Sequence, residues 1–251
     1  MKTASELIVL HTTKFGESSL VIHTLSREYG RRSFLVKNVG RKAAMSLFLP
    51  MNIIEADIIE SPRAKLYTAR NLSSAHPLVG IRNSIGKNSI TLFLSEVLYR
   101  VIKDGAMEPG LFEWCEKSMF LLDAIETDYS NFHIRFLLEL SVVLGFSPDR
   151  EGLAPFAAGH MDILERFLVS PFGESMTIPL SGAVRNELAE SILRYIEYHS
   201  ESSVNVKSLK VLRELFCQDV SGGSAPAGAS SPANASAPAG AASDGGGSVC
   251  G

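Results

Sequence analysis

Six cations lie close together in the first part of the chain: Lys14, Arg31, Arg32, Lys37, Arg41 and Lys42. Lysine and arginine at this density neutralise phosphates and release counterions, which gives affinity for nucleic acid without reading its sequence. Tyr29, Phe34 and Phe48 lie among them, and a ring set between cations offers a face on which a base stacks. Phe34 stands at an alternating position, so burial in a core competes with stacking for it. A solvated charged face is the competing account of the cations themselves.

Other chemistries find less support. Residues 80–88 (GIRNSIGKN) depart from a phosphate loop. Five residues separate the glycines where that loop needs four, and Asn88 stands where a hydroxyl belongs, so a helix N-terminus is the simpler account. The six histidines, His11, His23, His76, His133, His160 and His199, form no HExxH pair, and no GxSxG elbow accompanies them. Cys115, Cys217 and Cys250 make no CxxC unit. No metal and no cofactor is expected, and no enzymatic step is called for. An odd, sparse cysteine count fits a reducing compartment. No apolar run is long enough for a secretion signal or a membrane span, so the expected location is cytoplasmic.

The elements that must hold the cations are strands. Residues 6–13, 19–25, 29–39, 48–59 and 65–72 are β-branched or alternate in polarity, and 26–30 (SREYG) is a polar turn. Five short strands in such a span imply a small closed barrel or a sandwich. In an OB-type barrel the second and third strands and their loops would form the nucleic-acid face. Beyond His76 and Pro77 the period becomes helical, with helices expected at 85–102, 110–125, 131–144, 182–198 and 207–216. Residues 146–180, carrying Pro148, Pro155, Pro171 and Pro179, read as irregular. The apolar stripes of the last two helices are explained by core packing, with a peptide groove as the alternative. From Ser221 onward the chain is almost wholly Ala, Gly, Ser and Pro, the composition of a disordered tail. The expected organisation is therefore α+β: a β domain over 1–75, an all-helical domain over 76–220 and a tail over 221–251.

The formal net charge of −3 conceals this organisation. Residues 1–70 carry 11 Lys+Arg against 6 Asp+Glu, whereas 71–220 carry 13 against 20. A basic segment joined to an acidic one points to contact with nucleic acid or another anionic surface.

Three ordered blocks resemble the bacterial RecO family of DNA-repair proteins, particularly its Bacteroidetes-like form. They are LHTTKFGESSLVIHTLSREYGRRSFLVKNVGRK at 10–42, IRFLLELSVVLGFSPD at 134–149 and VNVKSLKVLRELF at 204–216. The resemblance runs from residue 1 to about 218. It implies a five-stranded OB-fold barrel followed by a helical domain. It also implies binding of single- and double-stranded DNA, annealing of complementary strands, and action with RecR in loading RecA onto DNA coated by single-strand-binding protein, at the nucleoid. The four-cysteine zinc module of many relatives has no counterpart here. Carried onto this chain, the resemblance places the DNA surface at Lys14, Arg31, Arg32, Lys37, Arg41 and Lys42. It makes Arg135 a partner for the acidic C-terminal tail of single-strand-binding protein, with an ordinary surface salt bridge as the alternative role. A protein-interaction adaptor with a barrel and a helical peptide-binding domain is the other class that fits, and an enzyme with a dispersed active site is a third.

Overall fold

The computed structural model describes residues 2–39, 45–61 and 66–218. Its strands are β1 (Lys2–Phe15), β2 (Ser19–Ser26), β3 (Gly30–Val36), β4 (Ile53–Ile59) and β5 (Tyr67–His76). They close a barrel in the order β1-β2-β3-β5-β4, antiparallel except for β3 against β5. β1 makes closure possible because its two halves serve different neighbours. Lys2 to Ile8 pair with β4, and Leu7 to Phe15 pair with β2. A bulge between Val9 and His11 turns the strand from one partner to the other.

Alternation fills the barrel. Leu7, Val9, Ile22, Phe34, Val36, Ile54 and Ile58 point inward and are buried together. The opposite face is not wholly in water. Ile8, Leu10, Leu25, Met51 and Ile53 belong to the core that the helices build. Burial on both faces explains why β1 reads as a near-continuous apolar run at Leu7–Leu10.

The helices are α1 (Val79–Arg82), α2 (Ile85–Val101), α3 (Leu111–Ala124), α4 (Phe132–Val143), α5 (Arg150–Leu153), α6 (Met161–Val169), α7 (Phe172–Met176), α8 (Gly182–Ser200) and α9 (Leu209–Gln218). α2 starts at Ser84, whose side chain accepts from Lys87 N, and α8 starts at Ser181, which accepts from Val184 N; both satisfy amides that the first turn leaves open. Leu94, Leu98, Leu137, Leu140, Leu188 and Ile192 join these helices in one core.

Two expectations need correction. The run 48–59 is not one strand: Ser46–Phe48 is a 3-10 turn and β4 begins at Ile53. Pro50, which lacks a ladder donor, and Met51, at φ 60, separate the two. The segment 146–180 is not irregular either. It holds α5, α6 and α7, and its prolines punctuate them; Pro171 is the N-cap of α7. Arg41, Lys42 and the tail over 221–251 lie outside the described residues.

Candidate nucleic-acid interface

Strand register decides which cations meet. Lys14 faces Leu20 across β1 and β2, and Leu20 faces Val36 across β2 and β3. Lys14 and Lys37 therefore sit at the same end of the barrel. Both are exposed, and neither makes an ion pair with a described residue. Val39 N donates to Ser18 O at 2.9 Å, so the last described residue before Arg41 and Lys42 rests against the β1–β2 turn. Phe15, 55% exposed, adds a ring at this end.

Arg31 and Arg32 lie further along β3, opposite Leu25 and Thr24. At about 3.3 Å per residue, the strand separates them from Lys37 by roughly 15–20 Å. They also face opposite ways. Arg32 is half-buried, with its guanidinium 4.5 Å from the Tyr67 ring centre. Arg31 is only 4% exposed. Its Nη1 lies 3.4 Å from Asp104 Oδ1 and its guanidinium 4.8 Å from the Tyr99 ring centre. Burial lowers the Arg31 pKa against the opposing pull of Asp104, but the side chain stays charged. Its environment is the junction of barrel and helices. Among the three rings near the cations, Phe34 and Phe48 are in the barrel core. Tyr29 is half-buried and its hydroxyl donates to Glu60 Oε1 at 2.8 Å.

A second group was not foreseen. His11 and His23 are cross-strand partners, 5.7 Å apart and stacked, and the Tyr99 ring of α2 lies 4.9 Å from His11 and 5.2 Å from His23. His23 Nε2 bonds Thr13 Oγ1 at 3.0 Å and its Nδ1 bonds Ser33 Oγ at 2.8 Å. Burial, and then the nearby arginines Arg100 for His11 and Arg31 for His23, lower both imidazole pKa values. Beside them, between β1, the 45–50 segment and α2, lies a cleft of about 290 Å3. The signal for the pair was a β1–β2 hairpin turning about Glu17, which sets residue 11 against 23; Tyr99 is too distant in sequence for any such signal.

The junction has a second polar cluster. Arg27 reaches Glu113 at 2.7 Å, Glu116 at 3.3 Å and Glu6 at 3.4 Å, and lies 4.5 Å from the Phe112 ring centre. Glu6, His76 and Glu116 bring ligand-type atoms within 4.8 Å of one another. The Arg27 guanidinium bonded to both glutamates already supplies the positive charge that this group attracts.

The helical residue singled out from sequence is also engaged. Arg135 on α4 gives Nε to Glu139 Oε1 at 2.6 Å and Nη1 to the carbonyls of Phe167 at 2.8 Å and Ser170 at 3.0 Å. It borders a groove of about 180 Å3 whose apolar walls include Leu138, Val142, Pro148, Phe167 and Leu168. Lys87, from the loop-like run 80–88, is buried and donates to Asp123 O at 3.0 Å, so that run is a capped helix start. Among the described residues no helix is long and apolar enough to cross a membrane.

The family model described as Recombination protein O N terminal matches residues 1–77, and that described as Recombination protein O C terminal matches residues 82–151. A protein of Phocaeicola vulgatus named DNA repair protein RecO is 32% identical over 237 residues, covering 83% of this chain and 97% of the relative. Proteins of the same name are 30% identical over 236 residues in Bacteroides fragilis, covering 83% of this chain and 97% of the relative, and 27% identical over 238 residues in Flavobacterium johnsoniae, covering 86% and 100%.

Proposed function

This chain belongs to the RecO family of DNA repair proteins, and from that premise we propose that it binds single- and double-stranded DNA and anneals complementary strands in the bacterial cytoplasm. The observation that carries the proposal is the pair of exposed cations, Lys14 and Lys37, without acidic partners among the described residues, at the barrel end from which the chain runs on to Arg41 and Lys42. Most other arginines detailed above are neutralised: Arg27, Arg31 and Arg135 all bind carboxylates. Annealing then requires no bond making. A cationic surface lowers the repulsion between two strands by releasing their counterions, and holding both on one molecule raises their effective concentration.

In this proposal Lys14, Lys37, Arg41 and Lys42 contact phosphates, Arg32 extends the track toward the barrel mouth, and Arg31 supports it from within the junction. RecR is the proposed protein partner, and with it the chain would load RecA onto DNA coated by single-strand-binding protein. The groove beside Arg135 is the proposed seat for the acidic tail of that protein. A carboxylate of the tail would compete with Glu139 for the guanidinium at the edge of that groove.

Annealing of two complementary labelled oligonucleotides, with and without single-strand-binding protein, tests the proposal. Acceleration well above the protein-free rate in both conditions is expected. An unchanged rate with bare oligonucleotides would contradict it.

A further inference from the structure

The cleft between β1 and α2 is unused by the phosphate contacts just described, yet it adjoins them. Its walls include Phe48 and Pro50, from the segment that follows Arg41 and Lys42, and His11 and Thr12, which precede Lys14 on β1. At about 290 Å3, against roughly 30 Å3 for a water molecule in the liquid, it has room for one planar ring system. A base pair within a duplex has no free face to offer it.

Its chemistry suits a base. His11 is exposed and lines the cleft, and its imidazole makes no hydrogen bond with a described residue. One of its ring faces is against His23, at an interplanar angle of 23°, and Tyr99 lies tilted against it at 4.9 Å, so what it offers a ligand is the ring surface that these two leave facing the cleft. The ring is fixed in place, because Tyr99 packs against it and Arg31 in turn packs over Tyr99. Leu92, 39% exposed, supplies an apolar wall. Arg100 stands at the rim, and its single ionic partner among the described residues is Glu96 at a loose 3.9 Å. A pre-positioned ring, an apolar wall and a rim cation are the parts that hold a stacked base with its phosphate.

We infer that this cleft takes one unpaired nucleobase of a single DNA strand, stacked on His11 with the adjoining phosphate at Arg100. The inference rests on the DNA-binding proposal above and sharpens it. The phosphate surface would grip any strand, whereas the cleft would reward only a strand with an unpaired base, giving a single-strand preference.

The test uses the full chain and three labelled probes, each at a low and a high salt concentration: oligothymidylate, an abasic deoxyribose-phosphate chain of equal length, and a hairpin duplex. Oligothymidylate is expected to bind at least about fivefold more tightly than the abasic chain, the low end of what one stacked base contributes. His11→Ala should remove that margin and leave the abasic chain and the duplex unaffected. His11→Phe should retain it, since the ring surface is kept. Equal binding of thymidylate and abasic probes by the unaltered protein, an unaffected His11→Ala, or a uniform loss on all three probes would overturn the inference. Binding to all three that weakens with salt but lacks a base-dependent margin would defeat the cleft alone. Absence of salt-dependent binding to any probe would defeat the DNA-binding proposal itself.

Discussion

His133 on α4 is fully buried between Phe93, edge-on at 5.8 Å, and Phe216, stacked at 6.2 Å. Neither ring nitrogen has a hydrogen bond of good geometry. Burial first, and then the positive charge of Arg185, hold its pKa at about 3, with only the Ser130 backbone opposing. The ring is therefore neutral when folded, whereas the unfolded chain takes up a proton near the ordinary value of 6.5. Because the folded value is the lower one, this site costs nothing above pH 6.5 and destabilises the fold as pH falls from there toward 3. The slope is about 1.4 kcal/mol per pH unit. His133→Phe keeps the packing and removes the proton. In urea unfolding at pH 7 and pH 5, the unaltered protein should lose about 2 kcal/mol more than His133→Phe. Equal losses would mean that the buried ring is not the source. Gly30 is the second residue under strict demand. Its φ is 61, and an added Cβ would lie 2.2 Å from Ala106 O. That contact cannot open freely, because Arg31 N donates to Ala106 O at 2.8 Å and Gly105 N to Arg31 O at 2.7 Å. Gly30→Ala should lower the thermal midpoint by several degrees, equivalent to about 1–3 kcal/mol of backbone strain and displaced contacts. An unchanged midpoint would show that the junction yields. At this scale sequence was a partial guide. Arg31 and Arg32 are adjacent and alike in type, and only the presence of Tyr99 and Asp104 over one face of β3 assigns them different surroundings.

Among the elements, α9 (Leu209–Gln218) is anchored at its start by a side chain from another helix, in addition to the burial of Leu212 and Phe216. Glu96 of α2 accepts from Lys207 N at 3.1 Å, Ser208 N at 2.9 Å and Ser208 Oγ at 2.6 Å, just ahead of the first turn of α9. Burial pushes the Glu96 pKa up, but the Ser208 and Lys207 hydrogen bonds and Arg100 outweigh it, and the net shift is downward. The folded value being the lower one, this contribution is complete above the ordinary carboxylate value of 4.5 and is lost as pH falls through the folded pKa. Glu96→Ala should speed hydrogen exchange across α9 while the barrel amides keep their protection, since charged acceptors of this kind contribute about 1.5–3 kcal/mol. Uniform acceleration through the barrel would contradict a local role. Most element positions were legible, because period 2 and period 3.6 differ over 7 to 19 residues, the lengths of β3 and α8. The failures have physical causes. Phe48 is apolar because its turn plugs the barrel, so pattern alone extended β4 too far. α6 stabilises a short helix by burying Leu164 and Phe167, which proline content in the surrounding segment obscured.

For the whole molecule, the junction is the decisive feature. Ile8, Leu10, Leu25, Met51 and Ile53 leave the barrel wall to enter the helical core, and Arg27 and Arg31 tie barrel strands to Glu113, Glu116 and Asp104. Barrel and helices should therefore unfold together. Far-ultraviolet circular dichroism and the fluorescence of Trp114, the one tryptophan, should give coincident urea transitions. An early transition in one signal would show that the shared core is weaker than its residues suggest. Regional charge was legible from sequence, and the net charge of −3 conceals it. What sequence left open was which cations remain without partners, and that depends on acids brought up from distant helices.

The most direct test of the central claim is the salt dependence of single-stranded DNA binding, compared between the unaltered chain and a variant carrying Lys14→Ala, Lys37→Ala, Arg41→Ala and Lys42→Ala. If these four side chains contact phosphates, the logarithm of the binding constant should fall steeply with the logarithm of salt concentration, and the variant's slope should be shallower by about 3. Identical slopes, or a flat response in the unaltered protein, would contradict the assignment of DNA binding to this end of the barrel.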